Sequence, residues 1–190
     1  MNQEIVTIVS GLPRSGTSMM MKMLEAGGIE PLTDHVREAD KDNPKGYYEF
    51  ERVKQLEHDK AWVADAQGKV VKVISALLKH LPDDYTYRVI FMRRKIEEIL
   101  ASQRKMLIRR GEDPDKVDDV KMAQLFERHL KQVQNWMAEQ PNVEVIEVSF
   151  NETVQDPMTQ AEQVDEFLGG GLDIERMVNV VDPALYRQRR

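Results

Sequence analysis

Apolar positions follow two alternating rhythms along this chain. Residues 4 to 9 (EIVTIV) are a short β-branched run that breaks off at SGLPRSG, which predicts a buried strand entering a turn. Thr17 to Ala26 has helical spacing and is closed by Gly27 and Gly28. Residues 30 to 48 lack a period and contain Pro31, Pro44 and Gly46, which predicts a long loop. Residues 50 to 66 read as helical, Val70 to Ile74 as a strand, and Tyr87 to Met92 as a strong buried strand. From Lys95 to Arg110 the stripe Ile96, Ile99, Leu100, Gln103 and Leu107 predicts a helix. An acidic turn, GEDPDKVDD, separates it from a long amphipathic helix over residues 119 to 139. Val143 to Val148 reads as a strand and residues 157 to 168 as a helix stopped by Gly169, Gly170 and Gly171, with an irregular tail beyond.

Strands alternating with helices predict an α/β fold, a central parallel sheet flanked by helices in three layers. In such sheets ligands sit at the carboxyl ends of the strands, where the first loop lies. The chain has 190 residues without repeats or a low-complexity linker, so the expectation is one domain over residues 1–190.

Composition narrows the chemistry. There are no cysteines, which excludes disulfides, thiolate metal sites and cysteine nucleophiles. His35, His58, His80 and His129 are scattered without metal-ligand spacing, so no metal is expected. No run is apolar for long enough to predict a transmembrane segment. MNQEIVTIV has neither a basic n-region nor a cleavage site, and a cytoplasmic protein is the expectation. A net charge of -6 argues against a nucleic-acid or anionic-membrane partner. The basic residues are nevertheless concentrated, at positions 88 to 110 and in Arg187, Arg189 and Arg190. That distribution suits a small anion pocket, while Lys105, Arg109 and Arg110 read as a solvated helix face.

The loop GLPRSGTS has the glycine spacing of a phosphate-binding loop, but Thr17 stands where the Walker lysine belongs. Backbone amides from Arg14 to Ser18 can form a concave nest, and the following helix adds its positive end. Gly11 and Gly16 let the backbone turn close to an anion, Thr17 and Ser18 add hydroxyls, and Arg14 supplies charge from a different point of the loop. Met19, Met20, Met23 and Leu24 lie at helical spacing and read as core. A second signal is YRVIFMRRKIEEILASQRKM, where a buried strand ends in Arg93 and Arg94. Ser102 follows eight residues after Arg94, inside the helix and off its apolar stripe. An arginine and a serine aimed at one point would make a second anion site.

These segments together resemble the PAPS-dependent sulfotransferase family. Its first loop, P-[KR]-S-G-T-[ST], is matched by Pro13 to Ser18, and its strand-end arginine and helical serine by Arg94 and Ser102. NPKGYYE, Asn43 to Glu49, is similar to a motif of bacterial members, and VIEVSFNETVQDPMTQAEQVDEFLG to the later strand–loop–helix ending in F-L-G. The resemblance implies a P-loop-type fold and the transfer of a sulfuryl group from PAPS to a hydroxyl or amine acceptor, releasing PAP. The acceptor would be a small molecule, a glycan or a lipid. Arg14, Ser15, Gly16, Thr17 and Ser18 would hold the 5′-phosphosulfate, and Arg94 and Ser102, assisted by Arg93, the 3′-phosphate. The family's basic R-K-G segment has no match before Gly169 to Gly171; Arg187 or Arg189 could replace it.

For catalysis, Arg14 is the candidate cation at the bridging oxygen. Lys72 matches a family lysine, but Ile74 falls where some members carry a histidine base. Glu49 and His35 are therefore the candidate bases. Two other readings stay open: a nucleotide or nucleoside kinase of the P-loop class, disfavoured by the missing lysine, and a non-catalytic PAP(S)-binding module on the same fold.

Overall fold

The computed structural model describes residues 4–34, 48–114 and 118–182. Four parallel strands, β1 (Ile5–Gly11), β2 (Val70–Lys72), β3 (Thr86–Arg93) and β4 (Val143–Ser149), form one sheet in the order β2-β1-β3-β4. β1 pairs with β2 from Thr7 opposite Val70, and with β3 from Ile5 opposite Thr86 to Gly11 opposite Met92. Chain order reverses direction across the sheet between β1 and β3. Their carboxyl ends, Gly11 and Met92, therefore lie side by side at the switch point where parallel sheets leave a crevice.

Strand alternation sends side chains to two cores. Val6 and Ile8 of β1 with Tyr87, Val89 and Phe91 of β3 pack against Ile99 of α2 (Ile96–Arg109) and Leu130, Val133 and Met137 of α3 (Asp119–Glu139). Val9, Ile90 and Met92 face the other way. They meet Met20, Met21, Met23 and Leu24 of α1 (Thr17–Ala26), together with α4 (Phe150–Gln155), α5 (Pro157–Leu168) and α6 (Ile174–Asn179). The result is the expected three-layer arrangement of helices on both faces of a parallel sheet.

Several elements differ from the sequence reading. Residues 50 to 66 are not one helix but two 3₁₀ turns, Glu51–Gln55 and Ala61–Ala66. Asp59 interrupts them: its carboxylate accepts from the Arg52 guanidinium (2.7 and 2.9 Å) and from the Ala61 amide (3.3 Å), competing with the helical ladder. β2 stops at Lys72, although the Val73 amide still donates to the Val9 carbonyl. Ile74 then precedes a 3₁₀ turn, Ser75–His80. The tail is not wholly irregular. Asp173 caps α6 by accepting from the Arg176 amide at 3.0 Å, and Met177 packs beneath it against Gly27. α4 was likewise unforeseen; Ser149 caps it by accepting from the Glu152 amide.

Candidate functional site

The loop after β1 is held in a shape that few residues could adopt. Arg14 has φ 71° and Gly16 φ 101°, both left-handed. A Cβ on Gly16 would stand 2.5 Å from the Phe150 ring, and one on Gly11 2.5 Å from Ser15 Oγ and 2.7 Å from the Met92 carbonyl oxygen. The two glycines are needed for close approach as well as for backbone freedom. Gly16 caps α1 without a side-chain bond, and the first helical bond runs from the Met20 amide to the Gly16 carbonyl at 3.1 Å. Amides ahead of Met20 have no partner within the helix, as at any helix start. Here Gly16, Thr17 and Ser18 line a cavity. Ser15 departs from the expected nest. Its amide turns back to the Leu12 carbonyl (3.2 Å), and its hydroxyl is buried against Gly11 rather than lining the cavity.

The loop meets the β3–α2 junction directly. Arg14 Nε donates to Ser102 Oγ at 3.0 Å, and Arg94 Nη1 donates to the Arg14 carbonyl at 3.1 Å. Arg94 is itself fixed on three sides. Its Nε donates to the Glu98 carboxylate at 2.9 Å, its guanidinium lies 4.3 Å from the centre of the Phe150 ring, and its side chain is only 7% exposed. Glu98 is fully buried and also accepts from Asn151 Nδ2 at 2.9 Å. Glu98 and Ser102 stand one helical turn apart on α2, so a single buried stripe grips both arginines. Arg93, the neighbour of Arg94, does not reach the cavity. It extends along the sheet to Glu147 of β4, at 3.5 Å.

The cavity holds about 670 Å³, within the range of small-molecule sites. It brings together Arg14, Gly16, Thr17, Ser18, Glu49, Lys72, Arg94 and Ser102. Lys72 Nζ lies 3.5 Å from Ser18 Oγ, placing a lysine from β2 beside the loop that lacks its own. Glu49 is largely buried, with its carboxylate 3.9 Å from Lys54 Nζ. His35, most of the NPKGYYE motif and the arginines at 187, 189 and 190 lie outside the described residues. Of the methionines read as core, Met20 and Met23 are fully buried, Met19 packs against the same core while also lining the cavity, and Met21 is buried as well. Lys22, Glu98, Asn151 and Phe150 were not singled out in the sequence. An acid four residues after Arg94 was the one available sign of Glu98.

The cavity straddles the carboxyl edge of the sheet and has an apolar lobe on each face. One lobe contains Met19, Phe150, Val154 and Val180, which belong to the core beneath α1 and α4. The other contains Phe50, Val53, Val73 and Phe126, which belong to the core beneath α2 and α3. Among the described residues, eight basic and two acidic side chains line the whole, in a chain whose net charge is -6. Among the described residues no group of histidine or acidic side chains is disposed to hold a metal, and no helix is long and apolar enough to cross a membrane.

Fold and cavity together define a three-layer α/β protein with a basic cleft at the switch point of its sheet. Residues 44–173 match the sulfotransferase family, and the chain belongs to that family. Among solved structures it is similar to the sulfotransferase domain from the olefin synthase of Synechococcus PCC 7002 (TM-score 0.59, 16% identity, covering 100% of this chain and 89% of that one). It is also similar to the sulfotransferase domain from the curacin biosynthetic pathway (TM-score 0.57, 14% identity, covering 96% and 79%). At such identities the likeness is one of fold. No curated protein is a significant match.

Proposed function

We propose that the protein is a PAPS-dependent sulfotransferase, with PAPS bound across the β1–β3 switch point in a P-loop-type cradle. The observation that carries this reading is the direct meeting of the two basic segments, Arg14 on Ser102 and Arg94 on the Arg14 carbonyl. The two phosphate groups of PAPS hang from one ribose, so their binding groups must be neighbours. Gly16, Thr17, Ser18 and the start of α1 would take the 5′ group, and Arg94 and Ser102 the 3′-phosphate. The buried Glu98 fixes the Arg94 guanidinium before any ligand arrives. The lobe formed by Met19, Phe150, Val154 and Val180 suits the purine, because it is apolar and has few cations.

PAPS supplies the sulfuryl group. Transfer breaks the bond between sulfur and the 5′-phosphate oxygen and forms one between sulfur and the acceptor oxygen or nitrogen; the acceptor's proton passes to a base and PAP leaves. Positioning and charge stabilisation dominate such a transfer. Arg14 within the loop and Lys72 beside it would neutralise the developing charge, and Glu49, which borders the cavity, would be the base. Arg14 reaches this role by exchanging its Ser102 contact for the ligand. Parallel titrations with PAP and MgATP, followed by sulfuryl transfer from PAPS across an acceptor panel, test the reading. Micromolar PAP binding, no MgATP binding and measurable turnover are expected. MgATP binding without PAP binding contradicts it, and PAP binding without turnover reduces it to a binding module.

A further inference from the structure

We infer that the acceptor is an amphipathic anion: a hydroxyl carried on an apolar body whose far end bears a carboxylate or phosphate. This rests on the sulfotransferase reading and deepens it. The second lobe of the cavity is walled by α2 on one side and by the first 3₁₀ turn on the other. Along α2 the cavity-lining positions run Ser102, Gln103, Lys105, Met106 and Arg109, with Arg110 at the helix cap. At 1.5 Å per residue Met106 lies about 6 Å beyond Ser102, and Arg109 and Arg110 about 10–12 Å beyond. The helix thus presents a hydroxyl in the anion clamp, then the Gln103 amide, then Met106 as its apolar lining residue, with the exposed cations Lys105, Arg109 and Arg110 around it towards the mouth. The facing wall repeats the order, with Phe50 and Val53 inside and Lys54 outside. Phe50 is held edge-on to the buried Trp62, with ring centres 5.6 Å apart. Ile74, 46% exposed, adds apolar surface to the same cavity.

The purine and the acceptor compete for two lobes, and charge separates them. Lys105, Arg109 and Arg110 stand at the α2 lobe, where Lys54 is offset by Glu51 at 2.6 Å and Glu49 at 3.9 Å, so the lobe keeps a cationic excess; Lys22 and Asp182 offset each other among the lining residues of the α1 lobe. A neutral purine gains nothing from a cationic rim. An acceptor with an apolar middle and an anionic end satisfies both features of the α2 lobe, with its hydroxyl directed inward to the sulfonate and its charge at the mouth. A sugar would leave Phe50, Ile74 and Phe126 without an apolar partner, and a neutral alcohol would leave the rim unused.

The test compares ω-hydroxydecanoate with the neutral α,ω-diol of the same length, by equilibrium binding to the protein alone and to its PAP complex at low salt. The acid is expected to bind roughly tenfold more tightly. Its advantage should shrink with added salt and fall severalfold in the Lys105→Ser, Arg110→Ser double variant. Across ω-hydroxy acids from butanoate to dodecanoate, affinity should peak at intermediate length. Equal binding of acid and diol, or an acid preference undiminished in the double variant, overturns the inference. Failure to bind PAP overturns the sulfotransferase reading instead, and leaves the acid–diol comparison to be judged on the protein alone.

Discussion

The two halves of α2 follow opposite rules. In the first half the polar side chains Glu98 and Ser102 are buried and each is held by an arginine from outside the helix. In the second half the cavity-lining side chains are Gln103, Lys105, Met106 and Arg109, with Arg110 at the cap, all half-buried or exposed. A buried polar stripe is tolerated only when its members are matched, because an unmatched charge in a dry site is costly. The inner half therefore has a fixed geometry suited to a ligand of one shape. The outer half can follow the length and charge of whatever occupies the lobe.

Breaking the inner half should have the largest effect. Glu98→Ala leaves Arg94 buried without its carboxylate and should lower the unfolding free energy by about 3–5 kcal/mol, measured by urea denaturation. Arg14→Ala should leave the fold intact and reduce turnover by about 10²–10³, measured as PAP release at saturating PAPS. Gly16→Ala drives a methyl group into Phe150 at a left-handed backbone position; a loss of about 1–3 kcal/mol in the same denaturation experiment is expected. At the other extreme, Lys105→Ala on the exposed outer half should change stability by no more than about 0.5 kcal/mol.

A pH series probes the adjoining helix. His129 of α3 pairs with Ser75, at 2.8 Å between Nε2 and Oγ. Burial, with Lys79 nearby, holds its pKa below the ordinary histidine value of 6.5. The folded state thus favours neutral imidazole. The stability this contributes is present above pH 6.5 and is lost as pH falls through that value towards the lower folded pKa. Thermal melts should show a steeper decline on acidification for the wild type than for His129→Gln.

Much of the sheet was legible because β1 and β3 are β-branched or aromatic runs longer than any turn, and α1 and α3 have clear periods. The 3₁₀ segments were not. Their break depends on where the Asp59 carboxylate folds back, which depends on Arg52 and not on apolar spacing. α6 is six residues long and gains its place from Met177 beneath Gly27, a contact between opposite ends of the chain. In the site, spacing alone related Arg94 to Ser102. It did not reveal that Arg14 would contact the serine while Glu98 held Arg94, nor that Arg93 would turn to Glu147. Those choices are made by the sheet, which sets Gly11 beside Met92 and so brings the loop onto α2.

The central claim is that Arg94 and Ser102 recognise a 3′-phosphate beside the loop. The most direct measurement is the ratio of PAP to AMP affinity in the wild type and in Ser102→Ala, by calorimetry at one salt concentration. PAP should bind the wild type about 10–100-fold more tightly than AMP, and removing the serine hydroxyl should narrow the gap severalfold. Equal affinities for PAP and AMP in the wild type would contradict it.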